Sequence, residues 1–227
     1  MLAKRYDRNG TVINRSEQVI LKRKKVLVAG CGGLGGYVIE MLARAGVGTI
    51  AAVDPDSFEE SNLNRQLLSE ESLLGRSKAE AAKKRCAAVN SEISLIPHVL
   101  KIDATNALDV LDGCDLVVDA LDNIAGRLVL QRAAEKLGIP LVHGAISGWF
   151  GQVALIEPGD RLFDHIYPNG AGTPMDLSAG NPSFSPAVVA GFQVTETLKV
   201  LLGKGELLRK KLLHVDLLQN RYELLDF

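Results

Sequence analysis

The chain has 227 residues, 47% hydrophobic and 23% charged, with 26 basic and 27 acidic side chains and a formal net charge of -1. This is ordinary globular composition, and a chain of this length buries about 70% of its unfolded surface without disulfides or metal staples. The charge balance speaks against a nucleic-acid scaffold and against an acidic tail.

Three cysteines, Cys31, Cys86 and Cys114, form no CxxC pair, so a four-thiolate zinc site is excluded and a reducing compartment is implied. The first eight residues carry four charges and no apolar core of a signal peptide. The most apolar stretch, residues 26–53, is interrupted by seven glycines, Glu40 and Arg44, which does not suit a membrane span. These features predict a cytoplasmic protein without membrane association.

From residue 25 the chain alternates short apolar runs with amphipathic stretches. Residues 26–29 predict a strand buried on both faces, followed by a glycine-rich turn and a helix over 37–45 that stops at Gly46. A second buried strand spans 49–53 and ends at Asp54. Helical spacing predicts a helix over 77–89, then a strand over 93–99 and a short helix over 105–111 capped by Thr105. Residues 116–120 are a third buried strand, 123–137 a helix closed by Gly138, and 140–143 open a further strand.

Residues 151–156 are strand-like, and 158–183, rich in Gly, Pro, Asn and Asp, form a long loop. Ser185-Pro186 is a cap with proline at the first helical position, opening a helix to Leu202 that Gly203 ends. Residues 212–217 and 222–227 close the chain as a hairpin. The alternation predicts an α/β, Rossmann-like and mostly parallel sheet with helices on both faces and a C-terminal antiparallel hairpin.

The first chemical signal is Gly30-Cys31-Gly32-Gly33-Leu34-Gly35 between strand and helix. Glycines let the backbone approach a phosphate, and the helix start presents free N–H groups to it. Asp54, 19 residues after Gly35, stands where a carboxylate binds ribose hydroxyls. This motif suits a dinucleotide as well as a mononucleotide. A second set points to a triphosphate: Arg65 and Lys78 supply cations that a pyrophosphate held by backbone does not need. Asp122, at the end of a strand, supplies a carboxylate for magnesium. Taken singly, each of these is an ordinary surface charge.

The run Asp54-Pro55-Asp56-Ser57-Phe58-Glu59-Glu60-Ser61-Asn62-Leu63-Asn64-Arg65-Gln66, the Gly75-Arg76-Ser77-Lys78 step and the Asp119-Ala120-Leu121-Asp122-Asn123 step together resemble the ThiF/MoeB/HesA adenylyltransferases. These activate ubiquitin-like sulfur carriers and are related to the adenylation domain of ubiquitin-activating enzymes. Arg5-Tyr6-Asp7-Arg8 and Ala45-Gly46-Val47-Gly48 add to the resemblance, which is strongest over 25–155.

The resemblance implies one adenylation domain over 1–227, with a nucleotide-binding core at 25–156, a crossover-type loop at 157–185 and a C-terminal helix and hairpin at 186–227. It implies that Gly30, Gly32, Gly33 and Gly35 line ATP and that Asp54 binds its ribose. Asp56, Asn62, Gln66 and Arg127 complete the nucleotide-binding set. Arg65 and Lys78 contact the phosphates, Asp122 is linked to Mg²⁺, and Arg8 reaches the partner's phosphates in a homodimer. The implied substrate is a small β-grasp carrier ending in Gly-Gly, with nucleic acid an unlikely partner.

Two departures stand out: the paired CxxC of many relatives is absent, and no cysteine lies between Glu157 and Pro186. Alternatives at this point are an enzyme acting on threonylcarbamoyl-adenosine of tRNA, an NAD-dependent oxidoreductase, and a non-catalytic nucleotide-binding scaffold. His98, His143, His165 and His214 lack metal-ligand spacing, and Trp149 and Phe150 are expected to pack on the sheet. Lys22-Arg23-Lys24-Lys25 is expected to be a solvated helix end.

Overall fold

In the computed structural model, residues 3–167 and 180–227 are described. Eight strands form one sheet in the order β3-β2-β1-β4-β5-β6-β7-β8. Strands β1 (Lys25–Ala29), β2 (Thr49–Val53), β3 (Ser94–His98), β4 (Leu116–Asp119) and β5 (Leu141–Ser147) run parallel. Strands β6 (Phe150–Ile156), β7 (Lys211–Asp216) and β8 (Arg221–Asp226) continue antiparallel. The antiparallel part thus begins one strand before the expected hairpin. A two-residue turn at Gly148, φ +55°, lets β6 fold straight back on β5.

Alternate residues of each strand serve opposite layers, as a sheet covered on both faces requires. Val26 and Val28 of β1 and Ile50 and Ala52 of β2 join the core under α2 (Gly33–Ala45), α3 (Lys78–Val89) and α7 (Phe184–Leu202). Leu27, Ala29, Ala51 and Val53 join the opposite core, under α4 (Ala107–Leu111), α5 (Ile124–Leu137) and α6 (Leu162–Ile166). Pro97 sits in β3, the outermost strand, where a missing N–H is tolerated.

Several local expectations are corrected. Helix α1 (Arg15–Leu21) precedes the sheet, and only its basic end is expected from the sequence; Asn14 and Glu17 form a reciprocal capping box at its start. Thr105 does not cap α4, which begins after Asn106. Asp103 takes the Thr105 and Asn106 N–H groups (2.8 and 3.3 Å), so it is the local acceptor. The loop after Glu157 contains α6, and residues 168–179 of the expected crossover loop lie outside the described residues.

Ser185 is not a cap either. It is buried in the first turn of α7, and its hydroxyl donates to the Gly148 carbonyl (2.5 Å). Trp149 and Phe150 are 44% and 40% exposed; Phe150 does stack on the sheet, against His214 of β7 at 5.9 Å between ring centroids, whereas Trp149 lies against Phe184 of α7 at 4.5 Å. The basic run is the expected solvated helix end at Lys22 and Arg23, both exposed just after α1, but not at Lys24, which pairs with Asp115 at 2.8 Å, or at Lys25, which opens β1.

Candidate active site

The strand order reverses between β1 and β4, which leave from adjacent positions to opposite sides. A crevice opens outside their C-terminal ends, where open α/β sheets place ligands. It has a volume of about 430 Å³.

The glycine turn forms one wall. Gly30, φ +96°, donates its N–H to Val53 O (2.8 Å), and a Cβ there would stand 2.6 Å from Ala120 O. Gly32 and Gly33 line the crevice, and α2 starts there with its first N–H groups free. Gly35 does not line it. A Cβ at Gly35 would meet Gly30 O at 1.8 Å, so this glycine permits the close approach of α2 to the strand and does not face a ligand.

Asp54 ends β2. Its carboxylate accepts from Cys31 N–H (2.7 Å) and Asp56 N–H (2.8 Å), which aims it across the turn, and each oxygen keeps a lone pair for a hydroxyl. Burial raises its pKa above the ordinary carboxylate value, against those two bonds and the nearby Lys78, which lower it.

Lys78 opens α3 behind the Ser77 cap and is only 7% exposed; its ammonium reaches Asp56 at 3.2 Å. Arg65 is half-buried in the crevice lining, and its guanidinium donates to Ser61 O (2.9 Å) and Asn64 Oδ1 (2.8 Å). Gln66, Asp122 and Arg127 also line the crevice. Asp122 is exposed, with Asn123 donating to it at 3.3 Å.

Besides Gly35, two sequence candidates stand outside. Asn62 is buried and caps a turn by accepting Glu59 N–H (3.0 Å), which shapes the segment carrying Arg65. Arg8 is exposed on the N-terminal helical turn Lys4–Asn9, away from this chain's own crevice.

The crevice also recruits residues that the sequence did not single out: Leu100, Lys101 and Ile102 after β3, Ala145 and Ile146 of β5, and Asn181. Asn181 is tied to the Arg65 segment, because Asn64 donates its side-chain N–H to the Asn181 carbonyl (3.1 Å).

Five buried side-chain atoms among the described residues have no hydrogen-bond partner; Gln131 Nε2 and Gln193 Oε1 lie outside the crevice lining, and Arg127 Nε faces Asp119 in an ion pair at 3.5 Å. The other two, Gln66 Oε1 and Asn181 Oδ1, belong to residues lining the crevice and suit a polar ligand there. The cysteines do not contribute to the lining. All three are buried and free; burial pushes Cys86 up to about 12 and Cys31 well above the ordinary thiol value.

A glycine-turned helix start, a buried carboxylate at the end of the next strand and two cations line one crevice of an α/β sheet, an arrangement suited to a nucleotide. Comparison with known proteins agrees. The chain belongs to the ThiF family, whose model matches residues 6–227. It is 42% identical over 209 residues to the sulfur carrier protein adenylyltransferase of Thermus thermophilus, covering 88% of this chain and 77% of that one. It is 37% identical over 206 residues to the SAMP-activating enzyme E1 of Haloferax volcanii, covering 89% and 76%. Among solved structures, that of E. coli MccB with ATP superposes with a TM-score of 0.84 at 25% identity, covering 100% of this chain and 71% of that one.

Proposed function

We propose that this chain uses ATP to adenylate the C-terminal carboxylate of a small ubiquitin-like sulfur-carrier protein, releasing pyrophosphate. The carrier is read as a β-grasp protein ending in Gly-Gly. The observation that carries the reading is the single crevice gathering Gly30, Gly32, Gly33, Asp54, Arg65, Lys78 and Asp122, with the unpaired buried atoms Gln66 Oε1 and Asn181 Oδ1 on residues of the same lining. Sulfur-carrier adenylyltransferases among its relatives, 42% identical in the Thermus case, support the same chemistry.

An ionised carboxylate attacking the α-phosphorus needs no general base, but two negative groups must approach each other. In this reading the first N–H groups of α2 and the cations of Lys78 and Arg65 hold the phosphates, and Asp54 fixes the ribose. Asp56, Gln66 and Arg127 complete the binding wall. Mg²⁺, held by Asp122 through the phosphates, would neutralise charge developing on the pyrophosphate. An NAD-dependent oxidoreductase gives Arg65 and Lys78 no task.

The proposal treats residues 1–227 as one adenylation domain, acting as a homodimer in which Arg8 reaches the partner's phosphates. Among the described residues no helix is long and apolar enough to cross a membrane. We place the protein in the cytoplasm, with neither membrane nor nucleic acid as a partner.

The reading is tested by thermal melting with nucleotides. ATP with Mg²⁺ should raise the melting temperature and NAD should not. Stabilisation by NAD with no response to ATP overturns it.

A further inference from the structure

Beneath the crevice, between the sheet and α5, lies a buried polar cluster in which only Arg127 has a role above. Asp119 ends β4 and is 0% exposed. One of its oxygens, Oδ2, lies 2.7 Å from His143 Nδ1 on the neighbouring strand and 3.5 Å from Arg127 Nε. A carboxylate only accepts, so the His143 proton sits on Nδ1. That leaves Nε2 to accept from the Gln152 amide at 3.1 Å.

The other Asp119 oxygen accepts the Leu121 N–H at 3.0 Å, while Arg127 donates to the Leu121 carbonyl at 2.7 Å and to the Tyr167 hydroxyl at 2.8 Å. The Asp119 carbonyl is fixed as well, by Gln193 of α7 at 2.8 Å. The peptide units on both sides of Leu121 are therefore held from below, and the next residue is Asp122 at the crevice rim.

Stability does not explain this arrangement. Apolar side chains surround it, including Phe163, whose ring meets His143 edge-on at 4.9 Å. A buried charged group costs desolvation that well-packed apolar residues of the same volume avoid. What the cluster achieves is orientation: Asp122 is exposed on a short loop, its side chain met by the adjacent Asn123 at 3.3 Å, so its place is set chiefly by the backbone that carries both residues.

We propose that Asp119 is a positioning residue for adenylation: with Arg127, His143 and Tyr167 it fixes the Leu121 peptide units and so the place of the Asp122 carboxylate. The inference rests on the role of Asp122 in the proposed function. His143 serves as a neutral spacer, because burial lowers its pKa more than the bond to Asp119 raises it. A displacement of about 1 Å in a catalytic group costs on the order of a hundredfold in rate, with substrate affinity little changed.

The test uses the full chain and Asp119→Asn, which keeps an acceptor for the Leu121 N–H and removes the charge facing Arg127. One readout is binding: the rise in melting temperature produced by ATP alone, and the further rise on adding Mg²⁺. The other is exchange of pyrophosphate into ATP with a Gly-Gly-ended sulfur-carrier protein, resolved into kcat and KM for ATP. Asp119→Asn should keep the ATP-only rise, lose most of the Mg²⁺ increment, and lower kcat about a hundredfold with KM for ATP within about threefold.

A wild-type Mg²⁺ increment together with wild-type kcat overturns the proposal. If Asp119→Asn does not fold, Tyr167→Phe removes only the oxygen that steadies Arg127. It should lower kcat several-fold and shrink the Mg²⁺ increment at unchanged KM, and wild-type values for it overturn the proposal equally. If the wild-type chain itself exchanges no pyrophosphate, the assigned function fails, and the Mg²⁺ increment alone then decides the positioning role.

Discussion

Replacing Lys78 by Met separates the chemistry of the crevice from its packing. The Lys78 side chain is 9% exposed, and its stem is part of the wall between α3 and the glycine turn. Truncation to Ala would remove about three buried methylenes, on the order of 2 kcal/mol of packing, and confuse the result. Met keeps that volume and deletes the charge. The partner left behind, Asp56, has a side chain 64% exposed, so water replaces the lost contact and the fold loses well under about 1 kcal/mol from the broken pair.

The phosphates lose far more. A unit charge at about 4 Å in an effective dielectric of about 20 is worth about 4 kcal/mol. Removal of one preformed donor from a water-excluded site costs about 3–4 kcal/mol of transition-state stabilisation in enzymes generally. Both estimates put the expected loss at two to three orders of magnitude in rate. Carrier-dependent pyrophosphate exchange measures it, with the unliganded melting temperature as the control for folding. A folded Lys78→Met chain exchanging within about threefold of wild type would refute the argument that Lys78 acts on the phosphates.

Two further outcomes follow from other parts of the molecule. The folded pKa of His143 is lowered, chiefly by burial, and that of His98 is lowered by burial and by Lys25. The unfolded chain therefore takes up protons near pH 6.5 that the folded chain refuses. Stability is complete above about pH 6.5 and falls below it toward the folded value, by at most about 1.4 kcal/mol per pH unit per group. Asp54, with its raised pKa, acts with the opposite sign in the lower, carboxylate range. Urea unfolding at pH 7.5 and 5.5 should show a smaller loss in His143→Gln than in wild type, and equal losses would contradict a neutral buried His143. For the dimer, mixing Arg8→Ala subunits with Asp122→Ala subunits should restore part of the exchange activity, since one heterodimer site keeps both groups. A monomer in sedimentation, or no recovery on mixing, removes the trans role of Arg8.

Strands β1, β2 and β4 are legible because each is a short, almost wholly apolar run ended by a glycine turn or an aspartate. Other elements carry weaker marks. Helix α1 buries only Gln18 and Leu21 and leaves Val19 and Ile20 outward, so no apolar stripe announced it. Its one local signal was the Asn14 to Glu17 spacing of a capping box. Ser185-Pro186 read as a cap because the residue types fit. Only the proximity of Gly148 across the β5–β6 turn turns that hydroxyl inward. Trp149 and Phe150 stay partly exposed because the same turn carries them to the end of the sheet, where Trp149 meets the first residue of α7, Phe184, and Phe150 meets His214 of β7.

In the crevice, the residues found from sequence are those whose chemistry is local: glycines at one turn, an aspartate ending the next strand, a lysine after a serine cap. Leu100, Lys101 and Ile102 carry no such mark; they enter only because β3 pairs in register beside β2, with Val53 opposite His98. The Asp119–His143 pair makes the same point at the level of mechanism. The two residues are 24 apart, and each alone reads as a strand-end polar group. Parallel pairing of β4 with β5 sets Asp119 directly opposite His143, on the face that α5 and α6 cover. A slip of one residue would turn each side chain to the other face of the sheet. The pair therefore depends on the register that also places Asp122 at the mouth of the crevice, and a change in either strand that shifts the register would dismantle both together.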